Sequence, residues 1–173
     1  MILAAALLAG GCSGGKFTVL HSGGNPNDYS PNDRIRVMLA APDTTDEAGT
    51  RVVSARIVSV LQQTHSDVAL IPTANESEAL DAARAANATF LITPTILEWS
   101  DSHAPPLTAD RVKLKLDLRD PRTGEVLNSV TFENISSLAT AFDTTPDALL
   151  DQSFVNAVTA LVATPAPSGS ARQ

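Results

Sequence analysis

Residues 111–135, RVKLKLDLRDPRTGEVLNSVTFENI, decide how the rest of this 173-residue chain is arranged. In the first nine, polar and apolar residues alternate with period two. That puts Val112, Leu114, Leu116 and Leu118 on one face and Lys113, Lys115 and Asp117 on the other, as in an antiparallel strand with one dry face and one wet face. Asp120-Pro121-Arg122-Thr123-Gly124 supplies proline and glycine at turn positions, and residues 126–135 return, so the segment reads as a hairpin.

Working outward, residues 89–99 (TFLITPTILEW) are strongly strand-like, with Pro94 implying a bulge or an edge position because it cannot donate to a ladder. Residues 103–110 form a loop. Residues 34–41 (RIRVMLAA) suit a strand covered on both faces and ended by Pro42, and residues 67–72 (DVALIP) a second short one. Between them, Val53, Ile57, Val60 and Leu61 fall on one helical stripe, with Arg51, Arg56 and Gln62 left to solvent. Asn75, three residues before Glu78, has the spacing of a capping box and opens a thin helix with a face of Ala79, Leu80 and Ala83. Thr145-Pro146-Asp147 opens a last helix carrying Leu149, Leu150, Phe154, Val158, Leu161 and Val162. The expected fold is α/β (α+β-like): a single mixed β-sheet with helices packed on it, in the order β-α-β-α-β-β-β-α.

The first residues say where the protein lives. Residues 1–11 (MILAAALLAGG) are apolar but too short to span a bilayer, which takes about 20 residues; they have the character of a signal-peptide core. Leu8-Ala9-Gly10-Gly11-Cys12 resembles the lipobox of bacterial lipoproteins, although Ala9 stands where leucine is usual. The resemblance implies that the Cys12 thiol is alkylated by diacylglycerol, the leader cut off and the new amino terminus acylated. No basic residue precedes this run, so the natural start is expected upstream. With one cysteine, a disulfide within the chain is excluded. Ser13 after the cysteine implies, by the same resemblance, the periplasmic face of the outer membrane. Residues 12–33 then form the lipidated cysteine and a Gly/Ser/Asn/Pro tether, in which residues 17–20 either stay with the tether or dock as a short strand. Residues 34–163 form the domain and residues 164–173 a disordered tail.

Composition narrows the function. Twelve basic and 19 acidic residues leave a net charge of −7, and no Lys/Arg cluster offers the electrostatic footprint of a nucleic-acid binder. Aromatics are 4% of the chain, so the core must be aliphatic. His21, His65 and His103 are scattered with no HxxxH or HExxH spacing, and no cofactor or metal is expected. GxGxxG and GxxxxGK[ST] do not occur.

Residues 88–101 (ATFLITPTILEWSD) followed by DRVKLKLDLRDPRTGEVLNS resemble a family of small bacterial lipoproteins known only as a domain of unknown function. The matching positions are Ala88, Leu91, Pro94, Ile96, Trp99 and Asp101, then Asp110, Arg111, Val112, Leu114, Leu116, Asp120, Gly124 and Leu127. A tryptophan-containing segment that the family has after the hairpin is replaced here by Ser136-Ser137-Leu138-Ala139. The order of elements also resembles the curli-secretion lipoprotein, penicillin-binding-protein activator lipoproteins and the amino-terminal domain of the Tol-system propeller protein. These resemblances imply a binding or assembly module.

Glu98, Trp99, Asp101 and His103 are the one place where acid, aromatic and imidazole come together in the sequence. As an enzyme site, Glu98 or Asp101 would be a general base in a cleft, its pKa raised by burial. Otherwise Trp99 covers the sheet edge while Asp101 shapes a turn or pairs with Arg111. On an exposed rim Trp99 marks an interface, and the expected interaction surface is Trp99, Asp101, His103 and Leu107 with the hairpin strand beside them. The expected function is a non-catalytic accessory module, anchored to the membrane through Cys12 and binding another envelope protein, with oligomeric state left open. Binding of a small molecule or peptidoglycan fragment is the alternative reading, and an envelope hydrolase the third.

Overall fold

The alternation in residues 111–135 is realised as two antiparallel strands, and the remaining elements are placed by the apolar face they offer. The structure, a computed structural model, describes residues 16–21, 29–42, 48–100, 109–136 and 145–163. Along the chain these form β1 (Lys16–His21), β2 (Arg34–Met38), β3 (Ala41–Pro42), α1 (Ala48–Leu61), β4 (Asp67–Ile71), α2 (Glu76–Ala85), β5 (Phe90–Ser100), β6 (Arg111–Arg119), β7 (Val126–Ile135), a 3₁₀ turn (Pro146–Leu149) and α3 (Gln152–Val162). They make one sheet in the order β1-β7-β6-β5-β2-β4, with two-residue β3 beside β5. β2 runs parallel to β4 and β5, and the remaining long pairs are antiparallel, so the sheet is mixed.

The expected α/β fold with one mixed sheet is the fold observed. Val112, Leu114, Leu116 and Leu118 are all fully buried, together with Ile35, Val37, Ile92, Ile96, Val130 and Phe132. Against this face pack Val53 and Ile57 of α1 and Phe154, Ala157, Val158 and Leu161 of α3, with Phe154 edge-on to Phe132 at 5.3 Å. On the opposite face α2 lays Ala79 and Ala83 on Met38, Ile71 and Leu91. Its methyl-sized side chains let it lie close to the sheet.

Two strands join those expected. Residues 17–20 dock, in β1, which pairs along all six residues with β7. The apolar run after Arg34 breaks at Leu39 and Ala40, and its end resumes as β3. The Ser54 hydroxyl holds that break to α1, accepting from the Ala40 amide (2.8 Å) and donating to the Thr50 carbonyl (2.9 Å). Pro94 sits opposite the same gap, between the pairs Val37↔Ile92 and Ala41↔Thr95. A residue without an N–H is tolerated there because the ladder on that side is already interrupted. The bulge expected at Pro94 lies instead between Ile96 and Glu98.

Helix starts also differ from the simple motif. The Asn75 side chain accepts from the Ser77 and Glu78 amides as a cap should. The return bond of a capping box is relayed, however: the Asn75 amide donates to the Thr73 hydroxyl, which donates to Glu78. The last helix does not open at Thr145, which makes no side-chain cap. Residues 146–149 form only a 3₁₀ turn, and α3 begins after Asp151, whose carboxylate accepts from the Ser153 amide at 2.8 Å. Two buried asparagines on the helix-facing side of β7 hold the ends of this segment. Asn134 donates to the Leu149 carbonyl (2.9 Å) and Asn128 to the Leu161 carbonyl (2.7 Å), where helix-end groups lack intrahelical partners.

Candidate interaction surface at the end of the sheet

The bulge at Leu97 decides what Trp99 does. Strict alternation would put Ile96 and Glu98 on one face and Trp99 on the other. With one extra residue in β5, Ile96 pairs with Leu114 and Trp99 with Val112, so both join the helix-facing side, while Glu98 pairs with Lys113 on the other. Trp99 is half-buried and lies on the first turn of α1, where Gly49 leaves room: a Cβ on Gly49 would stand 2.7 Å from the Trp99 ring. The indole is therefore a packed wedge between sheet end and helix rather than a freely exposed rim residue.

Among the described residues, α2 packs on the face opposite α1 and α3 across β4, β2 and β5. Over β6, β7 and β1 that face presents polar rows set by register. The row nearest the Trp99 end runs Glu98, Lys113, Glu133, Lys16 across four strands, alternating in sign. Beside it, Ser100, Arg111 and Ile135 form the terminal row, with the Arg111 guanidinium 3.9 Å from the Glu98 carboxylate and Ile135 39% exposed. The next row inward is Thr95, Lys115, Thr131, Thr18.

Asp117, expected on the wet face, is 5% exposed. It accepts from the Ser129 hydroxyl (2.6 Å) and Lys115 (2.8 Å), with Arg119 at 3.7 Å. Arg119 also pairs with Glu76 of α2 (3.1 Å) and donates to Thr93 and to the Gly124 carbonyl. Its guanidinium thus ties α2 to the hairpin.

Among the residues expected to form the surface, Trp99 is at the sheet end, though its ring is packed down. Asp101, His103 and Leu107, and the lipidation candidate Cys12, lie outside the described residues. Among the described residues, Glu98 is half-exposed beside Arg111. An open groove of about 680 Å³ lies elsewhere, between α1 and the start of α3, lined by residues that include Val52, Arg56, Ser59, Asp147 and Asp151. Among the described residues no three His, Cys, Asp or Glu side chains converge as metal ligands would, and no helix is long and apolar enough to cross a membrane. The charge row has no signature in the sequence, since alternation within a strand carries no information on which residue of a neighbour stands opposite.

No family model and no curated protein matches the sequence. Solved structures do. PelC from Paraburkholderia phytofirmans, described as a dodecamer, superposes with a TM-score of 0.63 at 20% identity over 86% of this chain and 99% of that one. A leucine-to-methionine variant of that PelC, also a dodecamer, gives 0.65 at 19% over the same shares. Protein XCC0632 from Xanthomonas campestris, of the DUF330 family, gives 0.52 at 11% over 79% and 87%. At these identities the likeness is one of fold, and it spans nearly the whole of the PelC chain.

Proposed function

We propose that this chain is a lipid-anchored module of the bacterial envelope, held at the outer membrane through Cys12, that acts by binding another envelope protein rather than by catalysis. The observation that carries the reading is the fold match along 99% of PelC, whose structures are of a dodecamer: there the same arrangement of sheet and helices serves as the subunit of an assembly. The lipobox-like LAGGC at residues 8–12 supports the anchor. Several acyl chains make membrane attachment effectively stable where one alone is marginal, and attachment concentrates a module near membrane-bound partners. The interaction surface is the sheet end around Trp99, with residues 101–107 following it and β6 beside it.

Two measurements test this. Radiolabelled palmitate should enter the wild type and not Cys12→Ser; equal labelling of both overturns the anchor. A photo-crosslinking residue in place of Ser100, activated in cells, should join the chain to a defined envelope protein or to its own copies, with the same residue in place of Arg122 at the hairpin turn as control. Equal products from both positions overturn the surface assignment. A second reading, capture of a small molecule or peptidoglycan fragment, is favoured by the groove between α1 and α3, whose volume lies in the range of ligand sites. Saturable binding of a muropeptide, abolished in Arg56→Ala, would select it.

A further inference from the structure

We propose that the groove between α1 and the 3₁₀ turn leading into α3 takes a short zwitterionic peptide, its ammonium facing Asp147 and its carboxylate facing Arg56. The inference rests on the second reading above, that the groove captures a ligand, and names the chemical class of that ligand. The two charged side chains stand on opposite walls, Arg56 on α1 and Asp147 in the turn at residues 146–149. Among the described residues neither side chain joins an ion pair or a hydrogen bond, whereas Arg34, Arg36, Arg84, Arg119 and Arg122 are each paired with a carboxylate. Two opposite charges that share a groove without meeting leave room for a molecule carrying the complement of each.

The lining between them is largely apolar. Val52, Ala55, Ala148 and buried Leu150 contribute to it, and Val52 is one of three exposed large apolar side chains among the described residues. Methyl-sized and short aliphatic groups fit such a surface. The Ser59 hydroxyl, also without a side-chain partner among the described residues, can donate to a peptide carbonyl or accept from a peptide amide. Both walls are fixed before a ligand arrives. Ser54 holds α1 at the strand break and the Trp99 ring lies against Gly49, while Asn134 holds the turn through the Leu149 carbonyl at 2.9 Å. A site already ordered loses little affinity to reorganisation.

The sign of each wall decides the class of ligand. α1 carries Arg51 and Arg56 and no acid; residues 145–162, which form the facing wall and α3, carry Asp147 and Asp151 and no base. Asp151 is already engaged as the cap of α3, accepting from the Ser153 amide and from Asn134. Asp147 is therefore the carboxylate left for a ligand, and the charges of the two walls sum to zero. A neutral molecule with separated charges suits that balance, and a nucleotide or other polyanion does not. The volume of about 680 Å³ is that of a small-ligand site rather than of the broad patch a protein partner covers.

Tri-alanine is the probe, because its methyl groups suit the apolar lining and its two ends can be blocked one at a time. Binding to the full-length chain in detergent is followed through the NMR shifts of the Val52 methyls. Tri-alanine should move them saturably. Acetylating its amine or amidating its carboxyl should weaken binding about threefold each, the size expected of an exposed ion pair. Asp147→Asn should remove the effect of acetylation alone, and Arg56→Gln that of amidation alone. Blocked forms that bind as tightly as tri-alanine, or variants that do not separate the two sensitivities, overturn the proposal. A muropeptide arm distinguishes it from the reading on which it rests. Saturation of the Val52 shifts by the muropeptide but not by tri-alanine defeats the zwitterionic-peptide assignment and leaves capture standing, whereas saturation by neither defeats both.

Discussion

Two small residues hold the sheet to α1. Gly49 admits the Trp99 ring, and an added methyl would also stand 3.1 Å from Ile96 Cδ1. Glycine to alanine in a helix ordinarily gains up to about 1 kcal/mol, but overpacking a rigid ring loses roughly 1–3 kcal/mol. Gly49→Ala should therefore destabilise the wild type by about 1 kcal/mol or more in urea unfolding, and should turn neutral or stabilising in a Trp99→Leu background. Destabilisation of the same size in both backgrounds would show that the indole is not the obstacle. Ser54 is fully buried and is the partner of the Ala40 amide. Ser54→Ala strands that donor, and the expected loss is about 1–3 kcal/mol by the same measurement; a change below about 0.5 kcal/mol would mean the strand break finds another partner.

At the scale of elements, the segment of 3₁₀ turn and α3 is clamped at its two ends by different side chains of one strand. Asn134→Ala should speed native-state hydrogen exchange in the 3₁₀ turn, and Asn128→Ala in the last turn of α3, because each removes the donor at that end. The same exchange pattern in both variants would mean the helix opens as one unit and the clamps are not local. The pairing of β2 with β4 carries a pH dependence. The Arg36 hydrogen bond holds the Asp67 carboxyl below its ordinary value, prevailing over the opposing effect of desolvation, with the charges of Arg36 and Arg34 adding to it. A carboxyl with a lowered folded-state pKa stabilises the fold above its ordinary value and loses that contribution as pH falls through the lower one. The urea-midpoint gap between wild type and Asp67→Asn should therefore narrow between about pH 5 and about pH 3. The effect is small because the carboxylate is largely solvated; a gap that widens on acidification contradicts it.

For the whole molecule, β1 is the element that changes the picture. Arg34 is where strand and helix signals begin in the sequence, yet a chain starting there would lack Phe17 and Val19, which pack on the main core, and would bare the length of β7. Halving the usual 1.5–3 kcal/mol per fully buried side chain, and adding the exposure of the core behind β7, gives an expected loss of about 2–4 kcal/mol relative to a chain starting at Lys16. Light scattering should rise as well, from the uncovered edge. Equal urea midpoints and equal scattering would show that β1 is dispensable.

Periodicity is local, and what depends on periodicity was legible: the alternation of β6, the stripe of Val53, Ile57, Val60 and Leu61, the Asn75 cap and the mixed sheet with helices on it. The sequence by itself also determined the charge and the lone Cys12 with its apolar approach. Tertiary structure alone decided which residues oppose one another. Lys16 meets Glu133, Ala40 meets Ser54 and Asn128 meets Leu161 across separations that no spacing rule spans. The bulge at Leu97 turned Trp99 from the open face to the helix side. The physical reason is that register, bulges and buried polar contacts follow from closing a shared core over distant segments, and that closure has no signature in any one of them.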